Sequence, residues 1–79
     1  MPGNEQRFQQ AMNQGHSAAW DQDWKDAAAF YKQALEEFPE HPKALTSLGL
    51  ALFQLHDHKS ALKYYQKAAA VSPADRDLA

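Results

Sequence analysis

Apolar residues recur at three-and-four spacing in four separate stretches of the chain, and each stretch predicts an amphipathic helix. The first runs from about Asn4 to Trp20, with Phe8, Ala11, Met12, Gly15, Ala18 and Ala19 on one face. Asn4 can cap its start, and Glu5 suits the first turn. Asp21-Gln22-Asp23 breaks the pattern, and Asp23 is placed to cap the next helix. The second runs from about Trp24 to Phe38, with Trp24, Ala27, Ala28, Tyr31, Ala34, Leu35 and Phe38 inward. Pro39 stops it, because a proline disfavours helical geometry in the residue before it. Pro42 is a good first residue for the third helix, which extends to about Leu55. Leu45, Leu48, Leu52 and Leu55 form its stripe, with Phe53 beside it. Leu55 and Phe53 cannot easily face one core, so at least one is expected at a groove or an interface. Asp57 can cap the fourth helix, from about His58 to Val71, with Ala61, Leu62, Tyr65, Ala68, Ala69 and Val71 inward. Ser72-Pro73 ends it, and Asp75 stands where a further helix would be capped.

The loops between these helices are short, so neighbours must run antiparallel. Nothing in the chain alternates like a strand. The expected fold is all-α, with two helical hairpins burying their stripes against each other.

The chain also repeats itself. A shift of 34 residues places Gly15 on Gly49, Asp23 on Asp57, Lys25 on Lys59 and Ala27 on Ala61. It also places Tyr31 on Tyr65, Ala34 on Ala68 and Pro39 on Pro73, with no gap. A fixed period of this size marks a stacked helical repeat, in which each unit buries its apolar face on the next.

These positions resemble the tetratricopeptide repeat (TPR) motif. The match is strong in the second unit through Leu45, Leu48, Gly49, Leu52, Ala61, Tyr65, Ala68 and Pro73. It is weaker in the first, where Ala11 and Gln14 stand in place of the usual large apolar residues. The resemblance implies one TPR domain over residues 1–79, a short right-handed α-solenoid. The first repeat would cover about 8–41 and the second about 42–75, and 76–79 would begin a truncated third repeat or cap. The small residues would sit where paired helices approach closely, and Tyr31 and Tyr65 would fill the wider gap.

In this family the first helix of each unit lines a concave groove that holds an extended peptide or a helix of a partner protein. The groove positions implied here are Gln9, Met12, Asn13, His16, Ala19 and Trp20 from the first unit. From the second they are Lys43, Thr46, Ser47, Leu50, Phe53 and Gln54. Domains of the family that grip a chaperone's C-terminal carboxylate carry a lysine and asparagines in this groove. Met12, His16 and Leu50 occupy the matching places, which disfavours that ligand and suits an apolar or amphipathic one. Gln22 and His56 replace the glycine frequent before the capping aspartate, so some strain is expected at both turns. A stack usually has about three units, whereas two are present. The outer faces of the third and fourth helices are therefore expected to be partly bare. Either the chain is a fragment of a longer protein or another chain covers that face.

Composition narrows the function further. The net charge of −2 exerts no long-range pull on nucleic acid or anionic lipid, and no apolar run approaches the ~20 residues that span a bilayer. A helix-turn-helix nucleic-acid binder would need a basic recognition helix, which the acidic balance opposes. Residues Met1 to Arg7 lack the basic and then apolar pattern of a secretory leader, and there is no cysteine. A cytoplasmic location is the expectation. The serines have no glycine-elbow context and there is no phosphate-binding glycine loop, so no catalytic residues and no cofactor are assigned. His56 and His58 flank Asp57 without helical metal-ligand spacing, and they read as a polar loop, not a metal site. Lys59, Lys63 and Lys67 read as a solvated helix face, and Trp24 as a core residue. Trp20 is either a groove anchor or packed beside Trp24. The expected function is non-catalytic: a protein-interaction module for a peptide or helix of a partner. Self-association into a homo-oligomer through the exposed repeat face is the alternative, with no role for nucleic acid or membrane.

Overall fold

The fold was analysed in a computed structural model that describes residues 3–71. The expected stop at Ser72-Pro73, the recurrence of Pro39 at Pro73 and the cap at Asp75 lie outside the described residues. Four helices follow one another: α1 (Glu5–Trp20), α2 (Trp24–Glu37), α3 (Pro42–Gln54) and α4 (His58–Val71). Their limits match the apolar periodicity to within a residue. They form two antiparallel hairpins, α1 on α2 and α3 on α4, and the hairpins meet where α2 packs on α3.

Each helix start has a polar side chain accepting a backbone N–H that the helix itself leaves unpaired. Asn4 accepts from the N–H of Arg7 at 3.0 Å, and Asp23 from that of Asp26 at 3.4 Å. Asp57 does the same for Ser60 at 3.4 Å. At α3 the acceptor is His41 Nδ1, 3.4 Å from the N–H of Ala44, with Pro42 in the first turn. Asp23 also bonds to Asp26, and this contact, with the charge of Asp23, raises the Asp26 carboxyl above its ordinary range.

The turns inside the two hairpins are copies of each other. Gln22 N–H donates to Ala19 C=O at 2.9 Å, and Asp23 N–H to Ala18 C=O at 2.8 Å. Thirty-four residues on, His56 N–H donates to Phe53 C=O at 3.0 Å and Asp57 N–H to Leu52 C=O at 2.9 Å. Both are Schellman turns, which satisfy the last carbonyls by placing one residue in the left-handed region. That residue is Gln22 at φ 62° and His56 at φ 67°. Without glycine, each costs about 1 kcal/mol.

Alanine lets the helices approach closely. Ala27, Ala34, Ala44 and Ala51 are fully buried, with Leu45 and Leu48 the largest side chains that are also fully enclosed. Gly15 lies against the Tyr31 ring, and Gly49 against the Tyr65 ring. At the other end of the first hairpin, Phe8 is buried between Phe38 and His41, with ring centroids 5.1 and 4.4 Å away. It pins α1 under the turn that leads into α3.

Four residues with an inward expectation turn outward. Leu55, Leu62 and Val71 are exposed, and so is Ala69. Their helices are as expected, but among the described residues no further element packs on the side of α4 that Leu62 and Ala69 share. Of α4, only Ala61 and Ala68 are buried.

A Cβ at Gly15 would lie 2.5 Å from Cε1 and 2.7 Å from Cδ1 of Tyr31. At Gly49 the corresponding distances to Tyr65 are 3.0 and 3.1 Å. Alanine gains about 1 kcal/mol over glycine in a helix, whereas overpacking costs about 1–3 kcal/mol. Gly15→Ala is therefore expected to destabilise the fold by about 1–2 kcal/mol, and Gly49→Ala to change it by under about 1 kcal/mol. Urea unfolding of the two variants checks the order; a greater loss at Gly49 contradicts it.

Candidate functional site

The first helix of each hairpin, α1 and α3, carries the expected groove residues. Gln9, Asn13, His16 and Trp20 are exposed on α1, and Ala19 is half-buried. Lys43, Thr46, Leu50, Phe53 and Gln54 are exposed on α3, and Ser47 is half-buried. Met12 departs from the expectation. It is 4% exposed within the central cluster of buried residues and presents no surface to a ligand. Its position lies at the edge of the α1 face that turns toward the second hairpin, so the same periodicity that suggests a groove residue also allows a core residue.

The two helix faces meet at Tyr31. This residue belongs to α2, and its ring is 3% exposed. Its hydroxyl lies 2.8 Å from His16 Nδ1 on α1. The rings of Tyr31 and His16 stand edge to face, 5.4 Å apart. Burial pushes the Tyr31 phenol above its ordinary range, and a hydrogen bond with the Ser47 side chain on α3 partly opposes this. The hydroxyl thus ties α2 to a side chain of α1. The contact occupies Nδ1 and leaves Nε2 of the imidazole pointing elsewhere for a further hydrogen bond. The sequence marks Tyr31 as a space-filler of the repeat, and no spacing rule shows where its hydroxyl ends.

Large apolar side chains are exposed on the same two helices, α1 and α3. Trp20 is 88% exposed, Phe53 51% and Leu50 43%. The Phe53 ring also leans on that of His58, 5.0 Å between centroids. Thr46 spends its hydroxyl on its own helix, donating to Pro42 C=O at 2.9 Å. It therefore offers a partner little beyond its methyl group. Trp20 is not covered by Trp24, which is half-buried against the core as expected.

Four hollows of about 240 to 400 Å3 lie elsewhere. The one of 340 Å3 is polar, between Arg7, Gln10 and Gln14 of α1 and Gln33, Glu36 and Glu37 of α2. By helical period its α1 residues are on the side of that helix away from His16 and Trp20.

Among the described residues no three histidine, aspartate or glutamate side chains gather where they could hold a metal ion. The rings of His56 and His58 stand edge to face at 6.0 Å. No helix among the described residues is long and apolar enough to cross a membrane.

A family model described as tetratricopeptide repeat matches residues 12–76. The chain belongs to the tetratricopeptide repeat family. Its TPR hairpins are all-α, and members of the family generally mediate protein–protein interaction through repeats that are typically non-catalytic. No curated protein and no solved structure matched the chain.

The Tyr31 hydroxyl gives the TPR stack a pH dependence with a definite sign. The folded-state phenol has a raised pKa, so the folded protein holds its proton longer than the unfolded chain does. The contribution is complete below about pH 10 and is lost as pH rises through the folded-state value. Tyr31→Phe is expected to cost about 1 kcal/mol at pH 7, the usual worth of a hydrogen bond. It should also lose less stability than the parent between pH 9 and 11. Chemical unfolding at both values measures this, and an equal alkaline loss in parent and variant contradicts it.

Proposed function

We propose that this TPR chain binds an extended segment or a helix of another protein across the α1–α3 face. Its two hairpins, at about residues 8–41 and 42–75, act together as one binding unit. The observation that carries the proposal is the exposure of Trp20, Leu50 and Phe53 on the first helices of the two repeats. Large apolar side chains of this kind supply most of the energy where proteins meet, aromatic ones above all. Gln9, Asn13 and Gln54 lie among them and can pair with a peptide backbone, which presents both donors and acceptors. The imidazole of His16, held at Nδ1 by Tyr31, leaves Nε2 to pair with a polar group of a peptide backbone. Lys43 is the one charged residue of the set and favours an acidic group near the start of α3. The preferred ligand is therefore amphipathic, with two or three apolar anchors and at least one carboxylate.

Selection of random 16-residue peptides on the immobilised chain tests the proposal. Enriched peptides are expected to carry apolar anchors and to shift the backbone amide resonances of His16, Leu50 and Phe53. Trp20→Ala, Leu50→Ala and Phe53→Ala together should weaken them at least tenfold and leave the helical circular dichroism unchanged. Absence of enrichment, or equal binding to the triple variant, removes the α1–α3 face from the account.

A further inference from the structure

Trp20 is 88% exposed, the most of any large apolar side chain among the described residues. Asp21 follows it at the C-terminal end of α1 and is exposed too, and the last turn of that helix holds no basic residue. A carboxylate there stands at the negative end of the helix dipole, so a cation brought beside it is favoured by both. The second repeat does not copy this corner. The counterparts of Trp20 and Asp21 are Gln54 and Leu55.

A hollow of about 240 Å3 lies where the two hairpins join, and none of the residues of the α1–α3 face lines it. Leu35 of α2, Pro39 of the turn and Leu45 of α3 give it apolar walls. Tyr64 and Lys67 of α4 and Lys32 of α2 also border it. The Lys67 ammonium lies 5.4 Å from the centre of the Tyr64 ring, and the attraction of ring and cation holds that charge at the hollow. Glu36 is the opposing charge, which leaves one positive charge in excess. A cavity of about 150 Å3 takes benzene, whereas pockets that enclose a whole small molecule begin at about 300 Å3. The hollow therefore suits one aromatic side chain with an acid beside it.

We propose that this hollow receives Trp20 of a second copy of the chain, with Asp21 of that copy beside Lys32 and Lys67. Tryptophan is among the strongest anchors of protein contacts when a pocket takes it, and the charges of the two surfaces are complementary. An aromatic residue beside an acid on another protein would meet the same groups, but the chain itself carries that pair, exposed and without another role for Asp21 in the hairpin turn. The corner and the hollow lie at different places on the molecule. The contact is thus head to tail and does not stop at a two-fold dimer. It does not depend on peptide binding at the α1–α3 face, although Trp20 can serve only one of the two at a time.

Sedimentation equilibrium of the full 79-residue chain up to millimolar concentration tests the pairing. The average mass of the parent is expected to climb past that of a dimer. Trp20→Ala removes the anchor, and Lys32→Glu with Lys67→Glu reverses the charge at the hollow; each variant alone should stay at the monomer mass. Mixed in equal amounts, the two should form a heterodimer and nothing larger, because one intact corner and one intact hollow remain between them. Glu36→Gln, which removes the opposing carboxylate, should lower the dissociation constant of the parent severalfold. Leu50→Ala with Phe53→Ala should leave association unchanged, since neither residue lines the hollow. The altered residues are exposed, so the helical circular dichroism should be intact. Lys32→Ala with Lys67→Ala, expected to weaken association in the same direction, serves if the charge reversal is not tolerated. A parent that stays monomeric overturns the proposal. So does association that survives in either variant alone, or a mixture that stays monomeric while the parent associates. Loss with Leu50→Ala and Phe53→Ala gives self-association to the α1–α3 face and also overturns it, whatever that face does with a foreign peptide.

Discussion

Everything in this chain depends on how closely its helices can approach. Gly15 lets the Tyr31 ring lie against the α1 backbone, and Gly49 does the same for Tyr65 on α3. The alanines of α2, α3 and α4 continue that contact, and seven of them, with Ala11 of α1, are among the buried core residues. Small residues alone would bury little area. The close approach is what allows a chain of this size to enclose Leu45, Leu48 and Phe8. It also determines where the Tyr31 hydroxyl ends, 2.8 Å from His16 Nδ1.

The two repeats are alike in sequence and unlike in circumstance. Both have the same Schellman turn with a left-handed residue, and both have a capping aspartate in the same place. The first hairpin, however, is covered by α3, while the second ends on exposed Leu62 and Val71. Stability in a stacked repeat is roughly the sum of the units and their junctions. The two hairpins among the described residues share one such junction, so a large share of their stability rests on the α2–α3 contact.

Much of this was legible in the sequence, for identifiable reasons. Helix limits follow from the positions of Asn4, Asp23, Pro39, Pro42 and Asp57, because caps and prolines act on their immediate neighbours. The strained turns at Gln22 and His56 follow from the resemblance to a motif with glycine there. Burial was less legible. Periodicity shows which residues share a helix face and is silent on what packs against it. Met12 therefore appears at the groove in the sequence and lies in the core in the structure, while Leu62 and Val71 show the reverse. The hydroxyl of Tyr31 could not be located from spacing at all, because its position depends on the distance between two helices.

The central claim is that the second hairpin is built like the first but, among the described residues, lacks its cover. Native-state amide hydrogen exchange of the 79-residue chain tests it residue by residue, since local opening reports how well each helix is held. The amides of α2 and α3 should be the best protected, and those in the middle of α4, from Leu62 to Ala69, should exchange at least tenfold faster than those at the equivalent positions of α2, from Ala28 to Leu35. Equal protection in α2 and α4 would contradict the account, because it would mean that α4 is held as firmly as a helix packed on both sides.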